Sequence, residues 1–127
     1  SNHILYFYDL LPTLFELTNT TPPVESDGIS FLPTLLNQQQ EKHDFLYWEF
    51  PSYGGQQAVR RGEWKAMRRD ILQGNTDIQL FNLAEDIQEQ HNVADEHPDI
   101  IDQMREIMQQ EHTIPEIERF RMPALGD

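Results

Sequence analysis

The chain has 127 residues, a formal net charge of −13 and no cysteine. Its length fits one domain of ordinary size, and the absence of cysteine excludes disulfides, thiolate metal sites and thiol nucleophiles. The acidic balance argues against nucleic-acid binding, which needs cationic surface. Aromatic residues make up 10%, too many for a disordered acidic tail. No apolar run approaches the ~20 residues of a membrane span, so we expect no membrane partner.

The first predicted element is a helix over residues 9–18, because four leucines between positions 10 and 17 share one helical face. Asp9 is its expected N-cap. Residues 19–26 predict a proline-containing loop, and residues 29–36 predict a short helical turn or an irregular packed segment around Pro33. The chain starts directly on an apolar run at residues 4–8, so we expect it to be a piece of a longer protein.

From residue 43 onward the pattern indicates strands, at 43–50, 56–61, 64–69 and 78–83. Gly62-Glu63 joins the second and third strands as a two-residue loop of the Gly-X kind, which suits a type II′ hairpin. We therefore expect an antiparallel sheet of about four strands.

A helix over residues 98–111 is the last predicted element, with Pro98 at its first position, His97 as its cap and one apolar face. A sheet and a helix that each have one apolar face must cover each other. The predicted fold class is therefore α+β, with a four-stranded antiparallel sheet packed against a C-terminal helix and preceded by one helix and a Pro-rich loop. Residues 115–127 are expected to form an irregular tail over the surface.

Positive charge concentrates on the hairpin at residues 56–69, where five cationic side chains oppose one carboxylate. The predicted register places Arg60 opposite Lys65, an arrangement unfavourable by about 0.2–1 kcal/mol. A neighbouring carboxylate such as Glu49, or solvation, would relieve it. The alternative is an anionic ligand or an acidic surface of another domain. Arg61 beside Trp64 is expected to stack as a cation–π pair.

The segment Tyr53-Gly54-Gly55 joins the first two strands, and two interpretations of it stay open. It is either a plain turn, or a loop that faces a substrate cleft with Tyr53 and Gln56 as hydrogen-bonding walls. Its glycines allow positive φ or a close approach by another chain segment.

No set of residues in the sequence forms a complete active site. The five histidines do not pair with each other or with carboxylates at a convincing metal-ligand spacing, so we expect no metal site. There is no Gly-rich phosphate loop, and no serine lies in a recognisable nucleophile context. We therefore assign no catalytic residue to this chain.

Several stretches of the sequence form a recognisable series: DLLPTL at residues 9–14, DGISFLPTL at 27–35, the hairpin at 47–66, LFNL at 80–83 and DIQEQHNVA at 86–94. Together they resemble the type I, formylglycine-dependent sulfatases, the arylsulfatase family, and in particular bacterial members acting on sulfated carbohydrates. The first two resemble the family's D-hydrophobic-x-P-T helix and its D-G-x-S-L/F-L-P-x-L segment, and the last two resemble its L-Y-D-L and D-P-x-E-x-x-N-L-A. Phe81 and Ile87 depart from the family's tyrosine and proline.

The family's functional motifs are absent from this sequence. Its formylglycine arises from Cys or Ser in a C/S-x-P-x-R motif, and its calcium is held by carboxylates of the large N-terminal domain; both lie upstream of the matching stretches. The resemblance therefore implies that this chain holds no cofactor and is inactive alone, whereas the parent protein uses calcium and formylglycine to hydrolyse sulfate esters.

The resemblance implies two parts: residues 1–36 as the last helix and following segment of the catalytic domain, and residues 37–127 as the C-terminal subdomain. Their implied role is to complete the fold and form one wall of the substrate cleft, with Tyr53, Gln56, Arg60 and Lys65 as candidate wall residues. The implied partners are the chain's own catalytic domain and a sulfated carbohydrate or other sulfate ester, and the implied location is periplasmic or extracellular. We expect the isolated chain to self-associate. The alternatives are a free-standing anion- or carbohydrate-binding module and a protein-interaction module.

Overall fold

The computed structural model describes residues 2–21 and 26–127 of the chain. It divides into two compact units, Ser1–Asp44 and Phe45–Asp127. No helix within the described residues is long and apolar enough to cross a membrane.

The first unit contains the predicted N-terminal helix, α1, over Leu10–Leu17, preceded by a 3₁₀ turn at Phe7–Asp9. A second short helix, α2, spans Leu32–Leu35 and confirms the helical alternative for this segment. The predicted loop over residues 19–26 lies partly outside the described residues. Asp9 occupies the N-cap position of α1 as predicted, but its side chain makes no capping bond there.

The buried carboxylate of Asp9 instead joins three parts of this first unit. It accepts hydrogen bonds from the backbone amides of Tyr6 at 2.7 Å and Ile29 at 2.9 Å, and it lies 2.8 Å from His43 Nε2. The Thr13 hydroxyl donates to the Asp9 carbonyl and accepts from the Phe31 amide. These bonds hold the DGISF segment against the DLLPT segment.

The second unit contains a four-stranded antiparallel sheet in the order β1-β2-β3-β4, which confirms the predicted fold class. The strands are β1 Leu46–Phe50, β2 Gln56–Arg61, β3 Trp64–Arg69 and β4 Gln79–Asn82. The predicted hairpin register is confirmed, with Arg60 opposite Lys65 and Arg61 opposite Trp64. Gly62 has a φ of 59°, the positive value that the first position of a type II′ turn requires.

Helix α3, Pro98–Glu111, packs across one face of this sheet, which we call the helix face. Its buried side chains are those of the predicted apolar stripe, Ile101, Met104, Ile107 and Met108. They meet Val59 on β2, Ala66 on β3 and Leu80 on β4. Alternation along each strand places Gln56, Arg60 and Lys65 on the other face, which we call the cationic face.

The tail over residues 115–127 is expected to be irregular, but it contains two 3₁₀ turns, Glu118–Phe120 and Pro123–Leu125, and it does more than lie on the surface. Met122 is fully buried. Its backbone amide donates to Asp127 Oδ2 at 2.6 Å. The tail therefore contributes to the core of the second unit.

Candidate functional site

The cationic face brings three of the four candidate wall residues onto one side of the hairpin. Gln56 and Arg60 lie on β2, and Lys65 lies opposite Arg60 on β3. Tyr53 lies in the loop before β2, where the residue is 83% exposed. Because Gln56 and Arg60 are four residues apart along a strand, roughly 13 Å separates their Cα atoms.

The Tyr53 loop is a tight turn built against its own chain. Tyr53 itself has a φ of 52°, and both following glycines have positive φ. A Cβ on Gly54 would lie 2.8 Å from Asp70 Oδ1, and a Cβ on Gly55 would lie 2.9 Å from Met122 Sδ. The glycines therefore permit the close approach of neighbouring segments, while the Tyr53 ring stays accessible beside Phe50, 6.1 Å away between ring centroids.

The two opposed cations of the hairpin have different partners. Lys65 Nζ pairs with Glu89 Oε1 at 2.5 Å, both side chains being mostly buried. Arg60 Nε donates to the Gly62 carbonyl at 3.4 Å and forms no ion pair with any described carboxylate. The prediction that a carboxylate offsets the charge is thus confirmed for Lys65, but the carboxylate is that of Glu89 and not that of Glu49.

Glu49 cannot form an ion pair with Arg60 or Lys65 because it lies on the opposite face of the sheet. It stands opposite Gln57 in the β1–β2 register, and its side chain therefore points to the helix face. The partner that Lys65 does find, Glu89, has a φ of 56° in the turn before Asn92. That turn is fixed by Asn92, whose Oδ1 accepts from the Leu80 amide at 2.9 Å. The DIQEQHNVA segment therefore closes the edge of β4 and delivers a carboxylate to the hairpin.

The predicted cation–π pair between Arg61 and Trp64 is wrong. Arg61 Nη1 donates to Gln103 Oε1 of α3 at 3.1 Å. The Trp64 ring packs against His97, 4.7 Å away between centroids. His97 does hold the N-cap position of α3, although its side chain makes no capping hydrogen bond. Both rings serve packing where the helix begins.

A buried polar cluster on the helix face was not predicted from the sequence. His112 Nδ1 lies 2.8 Å from Glu49 Oε2, and His112 Nε2 lies 2.5 Å from Asp127 Oδ1. The Tyr47 hydroxyl donates to Glu49 Oε2, and Gln57 Nε2 donates to the Tyr47 hydroxyl oxygen and to Glu49 Oε2. Since Glu49 and His112 are 63 residues apart, no local spacing in the sequence could have indicated this cluster.

Burial and charge shift several pKa values in the cluster. Burial opposes protonation of His112, but its hydrogen bonds to Glu49 and Asp127 outweigh this and raise its pKa. Burial works against the charged form of Asp127 as well, yet the Met122 amide and His112 lower its pKa. Burial and the adjacent Glu49 raise the pKa of Tyr47. The hydrogen bonds of the cluster therefore favour the protonated form of His112, which can donate to both Glu49 and Asp127.

No group of three or more His, Asp or Glu side chains within the described ranges could hold a metal ion. The Glu49–His112–Asp127 group is closed by its own hydrogen bonds, so its arrangement indicates a structural role.

No family model matches the chain. An uncharacterized sulfatase of Schizosaccharomyces pombe is 28% identical over 117 residues, which cover 84% of this chain and 21% of that protein. The chain therefore spans about a fifth of that relative's length.

Solved structures give the same partial match. A protein named Ps i-CgsB is 27% identical, with a TM-score of 0.69 over 85% of this chain and 24% of that one. A Bacteroides thetaiotaomicron protein from a locus for the metabolism of multiple glycosaminoglycans shares the fold, at 22% identity and a TM-score of 0.62, over 80% of this chain and 24% of that one. The resemblance of this chain to the C-terminal region of sulfatases is thereby confirmed.

Proposed function

We propose that this chain is the non-catalytic C-terminal part of a sulfatase that hydrolyses sulfate esters. The observation that carries the proposal is the similarity over 84% of this chain to 21% of a sulfatase. In this proposal, residues 1–36 end the catalytic domain and residues 37–127 form the C-terminal subdomain. The larger part of the parent supplies formylglycine and calcium, and the parent acts in the periplasm or outside the cell.

The exposed apolar residues of the first unit support the proposal that a larger domain normally covers it. Helix α1 buries only Thr13 among its eight residues. Its leucines at positions 10, 11, 14 and 17 are exposed, Leu17 by 61%. Clustered exposed apolar side chains are typical of interaction sites, and in a sulfatase the catalytic domain would cover these leucines.

The cationic face supports a role in substrate recognition. Arg60 forms no ion pair with a described carboxylate, and Tyr53 presents an exposed ring near it in sequence. Ps i-CgsB has been crystallised with k-i-k-neocarrahexaose. We propose that Tyr53, Gln56, Arg60 and Lys65 line one wall of a cleft for a sulfated carbohydrate, with Arg60 as the main charge.

The first test compares the chain with the protein encoded by its full reading frame. The full-length protein should hydrolyse an aryl sulfate, whereas the purified chain should be inert because neither nucleophile nor metal chemistry is available to it. An upstream sequence without the C/S-x-P-x-R motif would overturn the proposal in favour of a binding module. Turnover by the chain with contaminants excluded would overturn its non-catalytic role.

The second test concerns the wall. In the full-length protein, Arg60→Ala should raise KM for a polyanionic sulfated carbohydrate with kcat unchanged, since such charges stabilise ground and transition states alike. Lys65→Ala should raise KM less because Glu89 already offsets its charge. Arg119→Ala, at an exposed position in the tail, is the matched control. An unchanged KM with reduced stability would make Arg60 a purely structural residue.

A further inference from the structure

Arg68 on β3 is a buried cation without a counter-charge. Its side chain is directed to the helix face, and the residue is only 7% exposed. Its Nη1 donates to Gln57 Oε1 at 3.1 Å. Its Nε is buried without a hydrogen-bond partner, and no described carboxylate pairs with the guanidinium.

Gln57 cannot neutralise this cation. Its amide nitrogen is already committed to Tyr47 and Glu49, and its oxygen offers Arg68 only a dipole. Burial, and to a lesser extent the nearby charge of Arg105, lower the pKa of Arg68. A buried charge with unsatisfied donors is costly unless an opposite charge joins it.

A cavity of about 1160 Å³ borders Arg68 between the helix face, α3 and the tail. Its lining includes apolar side chains of the core and several charged ones, together with four uncharged hydrogen-bonding side chains, Gln57, Thr76, Asn92 and Gln109. It is therefore large enough for a small ligand and suited to a polar one.

The charges around the cavity decide which anion fits. Arg105 pairs with Asp102, whereas the single His112 is shared by two acidic side chains, Glu49 and Asp127, so that group keeps an excess of negative charge. The charges left without an ion pair are Arg68 and the exposed carboxylates of Asp77 and Asp95. One negative charge in contact with the guanidinium neutralises Arg68, whereas a second would be repelled by the two aspartates and by the excess negative charge of the His112 group.

We propose that this cavity binds a singly charged carboxylate at the guanidinium of Arg68. A planar carboxylate matches the donor geometry of arginine. The carboxylate belongs either to a sugar acid or to an acidic side chain of another polypeptide segment. This site lies on the helix face, opposite the proposed substrate wall, and does not depend on the sulfatase assignment.

NMR titration of the isotopically labelled 127-residue chain tests the proposal, with acetate and sulfate compared at equal ionic strength. Acetate should shift the Arg68 side-chain signals with a dissociation constant on the order of 1 mM, the range expected of one charge-assisted contact. Sulfate should bind several-fold more weakly. No Arg68 shift with acetate, or sulfate binding as tightly as acetate, would overturn the proposal.

Two variants separate binding from folding. Arg68→Gln should abolish the acetate response, whereas Arg105→Gln, which removes a cavity cation already paired with Asp102, should change the affinity by less than about threefold. Arg68→Gln can also unfold the chain, so Asp77→Asn provides a test at an exposed position. It should tighten acetate binding roughly twofold, and weaker binding by a folded Asp77→Asn would contradict the charge argument.

Two further probes identify the source of the carboxylate. Glucuronate binding more tightly than acetate assigns the site to a sugar acid. N-acetylglutamate amide binding more tightly assigns it to a polypeptide side chain. Tighter binding of either probe than of acetate supports a carboxylate site. If neither glucuronate nor N-acetylglutamate amide binds while acetate does, the proposal that the ligand is a sugar acid or an acidic side chain is overturned.

Discussion

The two units of this chain are stabilised in different ways. The second unit, 45–127, buries an apolar core of its own in which the side chains of three strands meet one face of α3. The first unit, 1–44, has only Asp9 and Thr13 buried among its described residues, and both are polar. Its leucines remain largely exposed.

The difference lies in how much each unit is stabilised by the burial of its own apolar side chains. Burial of apolar surface is the dominant favourable contribution to folding, at roughly 25 cal/mol per Å². The second unit obtains this contribution from its own residues. The first unit relies on hydrogen bonds around a carboxylate, which specify its geometry but contribute only about 1 kcal/mol each. Its exposed apolar side chains contribute little to its own stability.

The largest expected effect comes from removing core volume from the second unit. Leu80→Ala or Met104→Ala should lower the free energy of unfolding by roughly 2–5 kcal/mol, because each leaves a cavity between the sheet and α3. Leu17→Ala, on the exposed face of α1, should change it by less than about 0.5 kcal/mol. Denaturant unfolding of the three variants measures the contrast, and equal losses would refute the distinction between the units.

The next largest effect is expected at the polar centre of the first unit. Asp9→Asn removes a charged acceptor of two backbone amides and His43, and should cost roughly 1–3 kcal/mol of local stability. Hydrogen exchange at the Tyr6 and Ile29 amides should accelerate, while exchange in β2 and β3 stays unchanged. Glu16→Gln, an exposed carboxylate on α1, is the control. Faster exchange in both units would mean that Asp9 stabilises the whole chain.

The elements of the second unit could be predicted from local sequence. The hairpin register follows from one glycine-containing turn and the two-residue period of the flanking strands, and α3 follows from Pro98 and one apolar stripe. These signals are contained within a few consecutive residues. Such patterns specify secondary structure without knowledge of the fold.

The partners of charged residues could not be predicted in this way. Lys65 finds Glu89 24 residues away, and His112 finds Glu49 63 residues away, through chain paths that only the tertiary fold sets. Strand alternation does, however, exclude Glu49 as a partner of Arg60 once the β1–β2 register is known. Likewise, Arg68 has an ordinary strand position in the sequence, and its lack of a counter-charge is visible only in three dimensions.

A third, smaller effect concerns the pH dependence of the second unit. The raised pKa of His112 means that the folded chain binds a proton more tightly than the unfolded chain. The stability from this group is fully present below its ordinary pKa of 6.5 and is lost as pH rises through the folded value. The lowered pKa of Asp127 has the opposite sign, since its contribution is present above 3.8 and is lost at lower pH.

Thermal unfolding between about pH 4 and pH 9 measures this dependence. The wild-type Tm should fall above the ordinary histidine pKa, and His112→Asn should flatten that part of the profile. His91→Asn is the matched control, because the His91 side chain is 79% exposed. A profile that His112→Asn leaves unchanged would show that the cluster contributes no proton-linked stability.

The smallest expected effect is weak self-association through the first unit. The exposed leucines of α1 favour association because water is released from apolar surface. The net charge of −13 opposes it, and this repulsion is long-ranged at low ionic strength but screened within about 10 Å at 0.1 M salt. The two effects have different salt dependence, so added salt should shift the balance towards dimers or larger species.

Light scattering of the concentrated chain at about 0.01 and about 0.3 M salt measures this shift. Leu14→Ser with Leu17→Ser should abolish it, whereas Leu72→Ser, at an exposed leucine of the second unit, should not. A monomer at both salt concentrations would mean that the apolar face of α1 is too small to associate on its own, and the first unit would then need a larger and more complementary surface than a second copy offers.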